Sequence, residues 1–272
     1  MSPSRIRVPD LREKKARGEK IAMLTAYDAT MARLLDQAGV DALLVGDSVG
    51  MVVLGYDTTL AVTLDDMLHH TRAVVRGASR ALVVTDMPFL SYQVSADEAV
   101  RNAGRLLQEG GASAVKLEGG RPVLEAVRRM VDVGIPVMGH LGLQPQSVHQ
   151  LGGYVKQATR AEDADALIAD TIALQDAGAF AVVLESIPED VAKAASAAVT
   201  IPTIGIGAGP YCDGQVLVSY DMLGLFDRFI PSFVKQYANL AEAVQAATRS
   251  YVDDVREGRY PQSLSRLSVA DP

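Results

Sequence analysis

Short apolar runs rich in β-branched residues alternate with longer helix-patterned stretches along almost the whole 272-residue chain. This alternation is typical of βα units, in which parallel strands form a sheet that helices cover. There are roughly eight such units, the number that closes a (β/α)8 TIM barrel. We therefore expect an α/β protein with one barrel domain over residues 1–272. A short N-terminal extension would precede the barrel, and a polar tail would begin at about residue 251.

The first seven predicted strands are short and apolar, and they span residues 21–25, 42–45, 81–85, 114–117, 136–139, 181–184 and 202–206. The eighth is the least clear and is placed within residues 216–223, before a closing helix at 235–249. Ser186 and Glu189 flank Ile187-Pro188 and predict a capping box at a helix start. Glycines follow the helical stretches where a left-handed C-terminal residue is expected, at Gly39, Gly77, Gly110, Gly134 and Gly178.

The main competing fold is a doubly wound open sheet. Such a sheet typically has a GxGxxG turn after its first strand. Residues 25–28 here read TAYD and do not form that turn. The barrel is therefore the preferred fold.

The composition excludes several classes of function. A net charge of −7 argues against a nucleic-acid-binding surface, which needs basic clusters, and suits small-molecule partners. The single cysteine, Cys212, cannot form a disulfide within the chain, which fits the reducing cytoplasm. Residues 1–20 lack the apolar core of a secretory signal, and no apolar run approaches the length of a membrane span.

Charged residues recur where the predicted strands end, the usual place for a barrel active site. Asp47 follows the second strand and Asp86 the third. Two converging carboxylates repel each other unless a cation lies between them, and oxygen ligands without thiols favour Mg²⁺. Taken singly, either aspartate serves equally well as a helix N-cap or in a turn. Their recurrence at neighbouring strand ends favours the metal site.

The fourth strand carries a charged pair. Lys116 and Glu118 are two residues apart, so their side chains share one face, which we place at the mouth of the lumen. There Lys116 would contact an anionic substrate and Glu118 would support the metal site. A structural Lys–Glu ion pair is the alternative.

Two further strands end near titratable side chains. Glu185 follows a fully apolar sixth strand and is the candidate general base. His140, at the end of the fifth strand, either hydrogen-bonds the substrate or is a satisfied core histidine. The glycine-rich stretch 205–209 is only a weak phosphate-loop signal.

Six blocks of sequence occur in a fixed order along the chain: residues 45–51 (VGDSVGM), 86–89 (DMPF), 115–120 (VKLEGG), 139–143 (GHLGL) with 145–147 (PQS), 184–185 (LE) and 204–209 (IGIGAG). Together they closely resemble the ketopantoate hydroxymethyltransferase family. The resemblance runs from about residue 21 to residue 240. It implies a barrel of the phosphoenolpyruvate/pyruvate type.

The resemblance also implies roles for individual residues. Mg²⁺ would be held by Asp47 and Asp86, with Glu118 close to the metal as a further ligand. Glu185 would be the catalytic proton acceptor. Ser48, Asp86 and Lys116 would contact the keto acid. From their strand-end positions, we add Asp47 and His140 to the predicted substrate-binding residues.

The implied reaction belongs to pantothenate biosynthesis. A one-carbon unit would pass from 5,10-methylenetetrahydrofolate to 3-methyl-2-oxobutanoate, by way of a Mg²⁺-stabilised enolate, to give 2-dehydropantoate. Members of the family assemble as decamers, so a large homo-oligomer is expected. No nucleic acid or membrane partner is expected.

One segment departs from the family pattern. Residues 152–160 read GGYVKQATR, whereas the family usually has a basic residue directly after Gly-Gly-aromatic, and then Val-Gln-Gly. The basic residue has moved and a glycine is missing. The geometry of the lid that these residues would form, and its folate contacts, are therefore left open.

Two rival functions remain. Another Mg²⁺/enolate enzyme on the same barrel, such as a 2-oxo acid lyase or a phosphonopyruvate-type mutase, would use similar strand-end residues. Such lyases often carry a catalytic cysteine in a lid loop, whereas Cys212 follows the seventh strand. A non-catalytic keto-acid-binding protein is the rival of another class, but it has no need of charges inside a barrel mouth.

Overall fold

The computed structural model describes residues 5–262 and contains a closed parallel barrel. Each strand pairs with the next along the chain, and β1 pairs with β8 to close the circle. The predicted (β/α)8 fold is therefore confirmed. The strands are β1 (Ile21–Thr25), β2 (Ala42–Val45), β3 (Leu82–Asp86), β4 (Ala114–Glu118), β5 (Val137–Gly142), β6 (Ala181–Glu185), β7 (Thr203–Ile206) and β8 (Gly214–Leu217).

Helices occupy the connections between strands and the segments before and after the barrel. The α-helices are α1 (Val8–Ala16), α2 (Ala29–Gln37), α3 (Val49–Val52), α4 (Leu64–Gly77), α5 (Ala96–Gln108), α6 (Leu124–Asp132), α7 (Val148–Leu151), α8 (Ala161–Asp176), α9 (Glu189–Ala198), α10 (Ser219–Met222) and α11 (Leu240–Arg256). Short 3₁₀ helices lie at Thr59–Ala61, Arg121–Val123 and Pro145–Ser147.

The barrel interior is filled by apolar side chains from the strands. Leu82 and Val84 of β3 and Ala114 of β4 belong to this cluster, together with Met138 of β5. Leu11 of α1 joins the same cluster with only 1% of its surface exposed. The N-terminal extension thus forms a helix that contributes to the core, which its charged sequence did not reveal.

Strand alternation places the polar strand ends in the lumen. Side chains two residues apart in a strand share a face, so Asp86 follows Leu82 and Val84 inward. Lys116 and Glu118 follow Ala114 by the same rule. The register pairs Asp86 with Lys116 and Glu118 with His140 across neighbouring strands. A polar layer therefore lies directly above the apolar core.

Several local predictions were wrong. The eighth strand is Gly214–Leu217, and half of the interval predicted for it is α10. The closing helix is α11, so it begins and ends later than predicted and takes up the first residues of the predicted polar tail. Residues 263–272 of that tail lie outside the described residues. The fifth strand continues past residue 139 to Gly142.

The predicted capping box at Ser186 is absent. Helix α9 has Pro188 at its N-cap with no side-chain cap hydrogen bond, and Ser186 adopts a left-handed φ of 48°. Of the predicted helix-ending glycines, Gly39, Gly134 and Gly178 have positive φ. Gly77 instead lies inside α4, where a Cβ would come within 2.2 Å of the Ala29 carbonyl oxygen. After α5 it is Gly111, not Gly110, that has positive φ.

The chain divides by its internal contacts into a barrel unit that ends at Ser219 and a C-terminal unit that begins at Tyr220. In the C-terminal unit, Asn239 caps α11 by accepting a hydrogen bond from the Glu242 N–H. No helix among residues 5–262 is both long enough and apolar enough to cross a membrane.

Candidate active site

A buried ion pair links the third and fourth strands. Asp86 Oδ1 lies 3.0 Å from Lys116 Nζ, and their side chains are only 4% and 5% exposed. The two residues are register partners, so the pair follows directly from the strand alignment. Both had been predicted as site residues from their strand-end positions.

His140 connects this pair to two glutamates. Lys116 Nζ is 3.2 Å from His140 Nδ1, which is also 3.5 Å from Glu118 Oε1. On the other side of the ring, His140 Nε2 is 3.1 Å from Glu185 Oε2. His140 is therefore part of the charged cluster and not an isolated core histidine.

Glu185 is more exposed to solvent than the other residues that His140 contacts. Its side chain is 16% exposed, against 3% for both Glu118 and His140. It stands at the end of β6, where the Leu143 N–H donates to its carbonyl oxygen at 2.8 Å. A group that must reach a substrate needs this kind of partial exposure.

Asp47 reaches the cluster through the loop after β2. Its backbone N–H donates to Asp86 Oδ2 at 3.1 Å, and its own Oδ2 accepts from Gln146 Nε2 at 2.9 Å. Gly46 permits this approach, because a Cβ there would lie 2.7 Å from Ser48 Oγ and 3.6 Å from Asp86 Oδ2. Ser48, the remaining predicted substrate contact, is half-buried, and its Oγ is 2.8 Å from Tyr27 Oη.

Burial and crowding perturb the acidic groups. Burial, followed by the negative charges of Asp86 and Glu118, raises the pKa of Asp47 to about 8. Burial also raises the pKa of Asp86, although the Lys116 ammonium opposes the change. These carboxylates resist ionisation because the cations and hydrogen bonds of the protein do not fully balance their buried negative charge.

The pKa values of the basic groups are also raised, but by attraction to the carboxylates and against the effect of burial. Burial by itself would lower the pKa of Lys116, but the carboxylates of Asp86, Glu118 and Asp47 outweigh it and hold the pKa above its usual value. Burial and Lys116 lower the pKa of His140, yet hydrogen bonding with Glu118 and Glu185 raises it to about 9. The cluster is therefore electrostatically coupled throughout.

A divalent cation suits the chemistry of the Asp47–Asp86 pair. Mg²⁺ takes oxygen ligands and is commonly held by one or two carboxylates, with water and substrate completing its shell. Within the described part of the chain, no three His, Cys, Asp or Glu side chains already form a metal-holding group. The two aspartates offer an incomplete ligand set of the kind that leaves positions for a substrate.

Sequence reasoning missed three side chains at this site. Gln146 lies between Asp47 and Glu118, and Tyr92 Oη donates to Gln146 Oε1 at 2.8 Å. Tyr154, 45% exposed, places its hydroxyl 3.3 Å from Met51 Sδ. Burial and then the charges of Asp47, Glu185 and Glu118 raise the pKa of Tyr154. The Tyr154 hydroxyl therefore interacts electrostatically with the acidic residues of the cluster.

The available signals for these residues were weak. Gln146 stood within the PQS block, which marks its segment but not its contacts. Tyr154 stood in the segment predicted as a lid, and Tyr92 carried no signal of its own.

Comparison with known proteins identifies the family. The family model for ketopantoate hydroxymethyltransferase matches residues 5–263. The chain belongs to the ketopantoate hydroxymethyltransferase family. A relative from Moorella thermoacetica, named 3-methyl-2-oxobutanoate hydroxymethyltransferase, is 60% identical over 258 residues, which cover 95% of this chain and 96% of the relative. The resemblance inferred from the six sequence blocks is confirmed, and the chain is an enzyme of this transferase family.

Solved structures share the fold at much lower identity. A 2,3-dimethylmalate lyase, described as a member of the PEP mutase/isocitrate lyase superfamily, is 18% identical with a TM-score of 0.59, covering 96% of this chain and 91% of its own. A phosphonopyruvate hydrolase in complex with oxalate and Mg²⁺ is 14% identical with a TM-score of 0.61, covering 97% of this chain and 91% of its own. At such identities the likeness establishes the barrel type alone.

Proposed function

We propose that this chain transfers a hydroxymethyl unit from 5,10-methylenetetrahydrofolate to 3-methyl-2-oxobutanoate and forms 2-dehydropantoate. The name of the Moorella thermoacetica relative supports the acceptor and the transfer. The observation that carries the chemistry is the contact chain from Lys116 through His140 to the partly exposed Glu185. It provides a cation for an anionic substrate and a base at opposite ends of one buried cluster.

The 2-oxo acid would bind beside a Mg²⁺ ion held by Asp47 and Asp86, with Glu118 close by. When bound, the cation polarises the keto carbonyl and stabilises the negative charge that develops on its oxygen. The raised pKa values of both aspartates support this assignment, because a dication compensates their repulsion. A neighbour of the same fold was crystallised with Mg²⁺ and oxalate, itself a small dicarboxylate.

Glu185 acts as the general base and removes the C3 proton of 3-methyl-2-oxobutanoate. The His140 ring lies beside this carboxylate, with Nε2 3.1 Å from Glu185 Oε2, which is within ion-pair distance. Nε2 keeps a proton both in the imidazolium and in the neutral tautomer that accepts from Lys116 at Nδ1. Lys116 neutralises the substrate's negative charge, and Ser48 contributes a hydroxyl to its binding.

C3 of the 2-oxo acid then attacks the methylene carbon of the folate. The methylene carbon begins bonded to two folate nitrogens and ends as the CH₂OH group of the product. Both C–N bonds therefore break, one water molecule supplies the hydroxyl group, and tetrahydrofolate is released. The C3–H electrons form the new C3–CH₂ bond. Glu185 holds the abstracted proton until it returns to solvent or to the departing folate nitrogen.

We also propose a homo-oligomer, which the family resemblance extends to a decamer. Helix α11 exposes an apolar stripe, with Val244, Tyr251 and Val255 at 55%, 56% and 45% exposure. Their spacing of seven and four residues places them on one face. The burial of Cys212 as a free thiol is in keeping with a cytoplasmic location.

One experiment tests the proposed reaction. Purified protein is mixed with Mg²⁺, 3-methyl-2-oxobutanoate and 5,10-methylenetetrahydrofolate, and 2-dehydropantoate is followed by mass spectrometry with and without chelator. Product that requires both folate and Mg²⁺ is expected. Cleavage of the 2-oxo acid without folate would identify a lyase, and binding without turnover would identify a non-catalytic protein.

A further inference from the structure

Gln146 joins two acidic residues of the site. It lies in the 3₁₀ helix Pro145–Ser147 and is 6% exposed. Its side-chain Nε2 donates to Asp47 Oδ2 at 2.9 Å, and its backbone N–H donates to Glu118 Oε2 at 3.0 Å. A single residue therefore holds carboxylates that arrive from the second and fourth strand ends.

The orientation of the Gln146 amide is fixed by its neighbours. Nε2 also contacts the Met87 carbonyl oxygen at 2.9 Å, and a carbonyl can only accept a hydrogen bond. On the other side, Oε1 accepts from Tyr92 Oη at 2.8 Å and from Gln93 Nε2 at 3.1 Å. Both donors and both acceptor positions of the amide are used, so it cannot flip without losing several bonds.

This arrangement leaves part of Asp47 available. Its Oδ2 is bound to Gln146, whereas its Oδ1 makes no hydrogen bond with any residue that the structure describes. Glu118 is held in a similar way, because Gln146 binds Oε2 and His140 lies near Oε1. Gln146 thus engages one carboxylate oxygen of Asp47 and leaves the other without a hydrogen bond to the described residues.

We propose that Gln146 is a positioning residue that presents Asp47, together with Glu118, to the divalent cation. The proposal rests on the cation site of the proposed function. Partners that orient metal ligands typically change metal affinity about 10–100-fold when they are removed. Without the Nε2 donor, Asp47 is free to turn both oxygens away from the cation, and like-charge repulsion from Asp86 and Glu118 favours such a turn.

Gln146→Met tests this, because methionine has nearly the same length and shape but no donor at its end. Mg²⁺ affinity of the substrate-free protein is measured by isothermal titration calorimetry, and folding is checked by the melting temperature in EDTA. We expect the Mg²⁺ dissociation constant to rise about 10–100-fold in a variant that remains folded. Gln146→Asn, one methylene too short to reach Asp47, takes its place if the methionine variant does not fold.

Gln144→Met is the matched control. Gln144 precedes the same 3₁₀ helix, and its side chain makes no hydrogen bond with any residue in the described part of the chain, so we expect a change in Mg²⁺ affinity of less than about threefold. An equal loss in Gln144→Met would assign the effect to packing of the loop and overturn the proposal. Unchanged affinity in a folded Gln146 variant would do the same.

Asp47→Asn separates this proposal from the one on which it depends. If Asp47→Asn abolishes Mg²⁺ binding while the Gln146 variants bind normally, only the role of Gln146 is wrong. If the wild-type protein shows no saturable Mg²⁺ binding, the cation site itself is wrong, and both proposals fall.

Discussion

Glu185 Oε2 lies 3.1 Å from His140 Nε2, while the opposite nitrogen of the same ring lies 3.2 Å from Lys116 Nζ. The imidazole therefore lies between the proposed base and the proposed substrate-binding cation. This relationship makes the role of each group separately testable.

Replacing Glu185 by Gln should remove the base but keep its shape. We expect kcat for 2-dehydropantoate formation to fall about 10²–10⁴-fold, because positioned proton transfer contributes about that much. Binding of 3-methyl-2-oxobutanoate, measured by calorimetry, should change little. Near-normal turnover in this variant would show that another group takes the proton.

The ion pair of Lys116 and Asp86 should be costly to break from one side. Lys116→Met leaves the Asp86 carboxylate buried without its cation, which typically costs about 3–5 kcal/mol. Urea unfolding measures this loss. The double variant Lys116→Met/Asp86→Asn should regain much of it, since it removes the stranded charge. If the double variant is no more stable than the single one, the stranded Asp86 charge is not the cause of the loss.

The stability of the cation-free protein should depend on His140 at alkaline pH. Its pKa is raised from 6.5 to about 9, so the stabilisation that it provides is complete below pH 6.5 and is lost as the pH rises through about 9. The shift corresponds to roughly 3 kcal/mol. In EDTA, the difference in unfolding free energy between wild type and His140→Gln should shrink over this window. A difference that stays constant from pH 6.5 to 9.5 would contradict the assignment.

Mg²⁺ binding should release a proton at neutral pH. Because the pKa of Asp47 is about 8 without a cation, this carboxyl is largely protonated at pH 7 and must ionise to bind the metal. Calorimetry in two buffers of different ionisation enthalpy should detect about one proton at pH 7 and fewer above pH 9. The affinity should rise between pH 7 and about pH 9 and then level off, because Asp47 is only half ionised at its pKa of about 8. Affinity that does not change with pH would rule out Asp47 as the ligand that ionises.

Charges on the apolar stripe of α11 should disrupt assembly. The double variant Val244→Asp/Tyr251→Asp is expected to lower the mass measured by light scattering, because buried charges disfavour an apolar interface. Gln245→Asp/Ser250→Asp adds the same charge to neighbouring exposed positions and should leave the mass unchanged. A monomeric wild-type protein would remove the basis for the homo-oligomer.

The barrel and its polar layer could be predicted because both depend on local patterns. Asp86 and Lys116 each end a recognisable apolar strand, and parallel strands bring their carboxyl ends together whatever the connections are. The short β8 was misplaced because it begins with glycine and has few apolar residues to mark it. The cap at Ser186 failed because the chain turns through a left-handed conformation there.

Contacts between distant segments could not be predicted in the same way. Gln146 is 99 residues from Asp47 along the chain, and an amide gives no periodic signal. The central position of His140 depends on the register of β5 between β4 and β6, which no single strand encodes. Its role was therefore left open between core and site.

The two hydrogen bonds that Gln146 donates to Asp47 and Glu118 also limit which sequence changes this enzyme can accept during evolution. The side chain and the backbone N–H of one residue must reach carboxylates from separate strand ends at the same time. An insertion between Gly142 and Gln146 would move both donors together, whereas residues 152–160 lie beyond that restraint. Selection for new 2-oxo acids on this scaffold should therefore accept changes in the later segment and reject any change in the length of the earlier one.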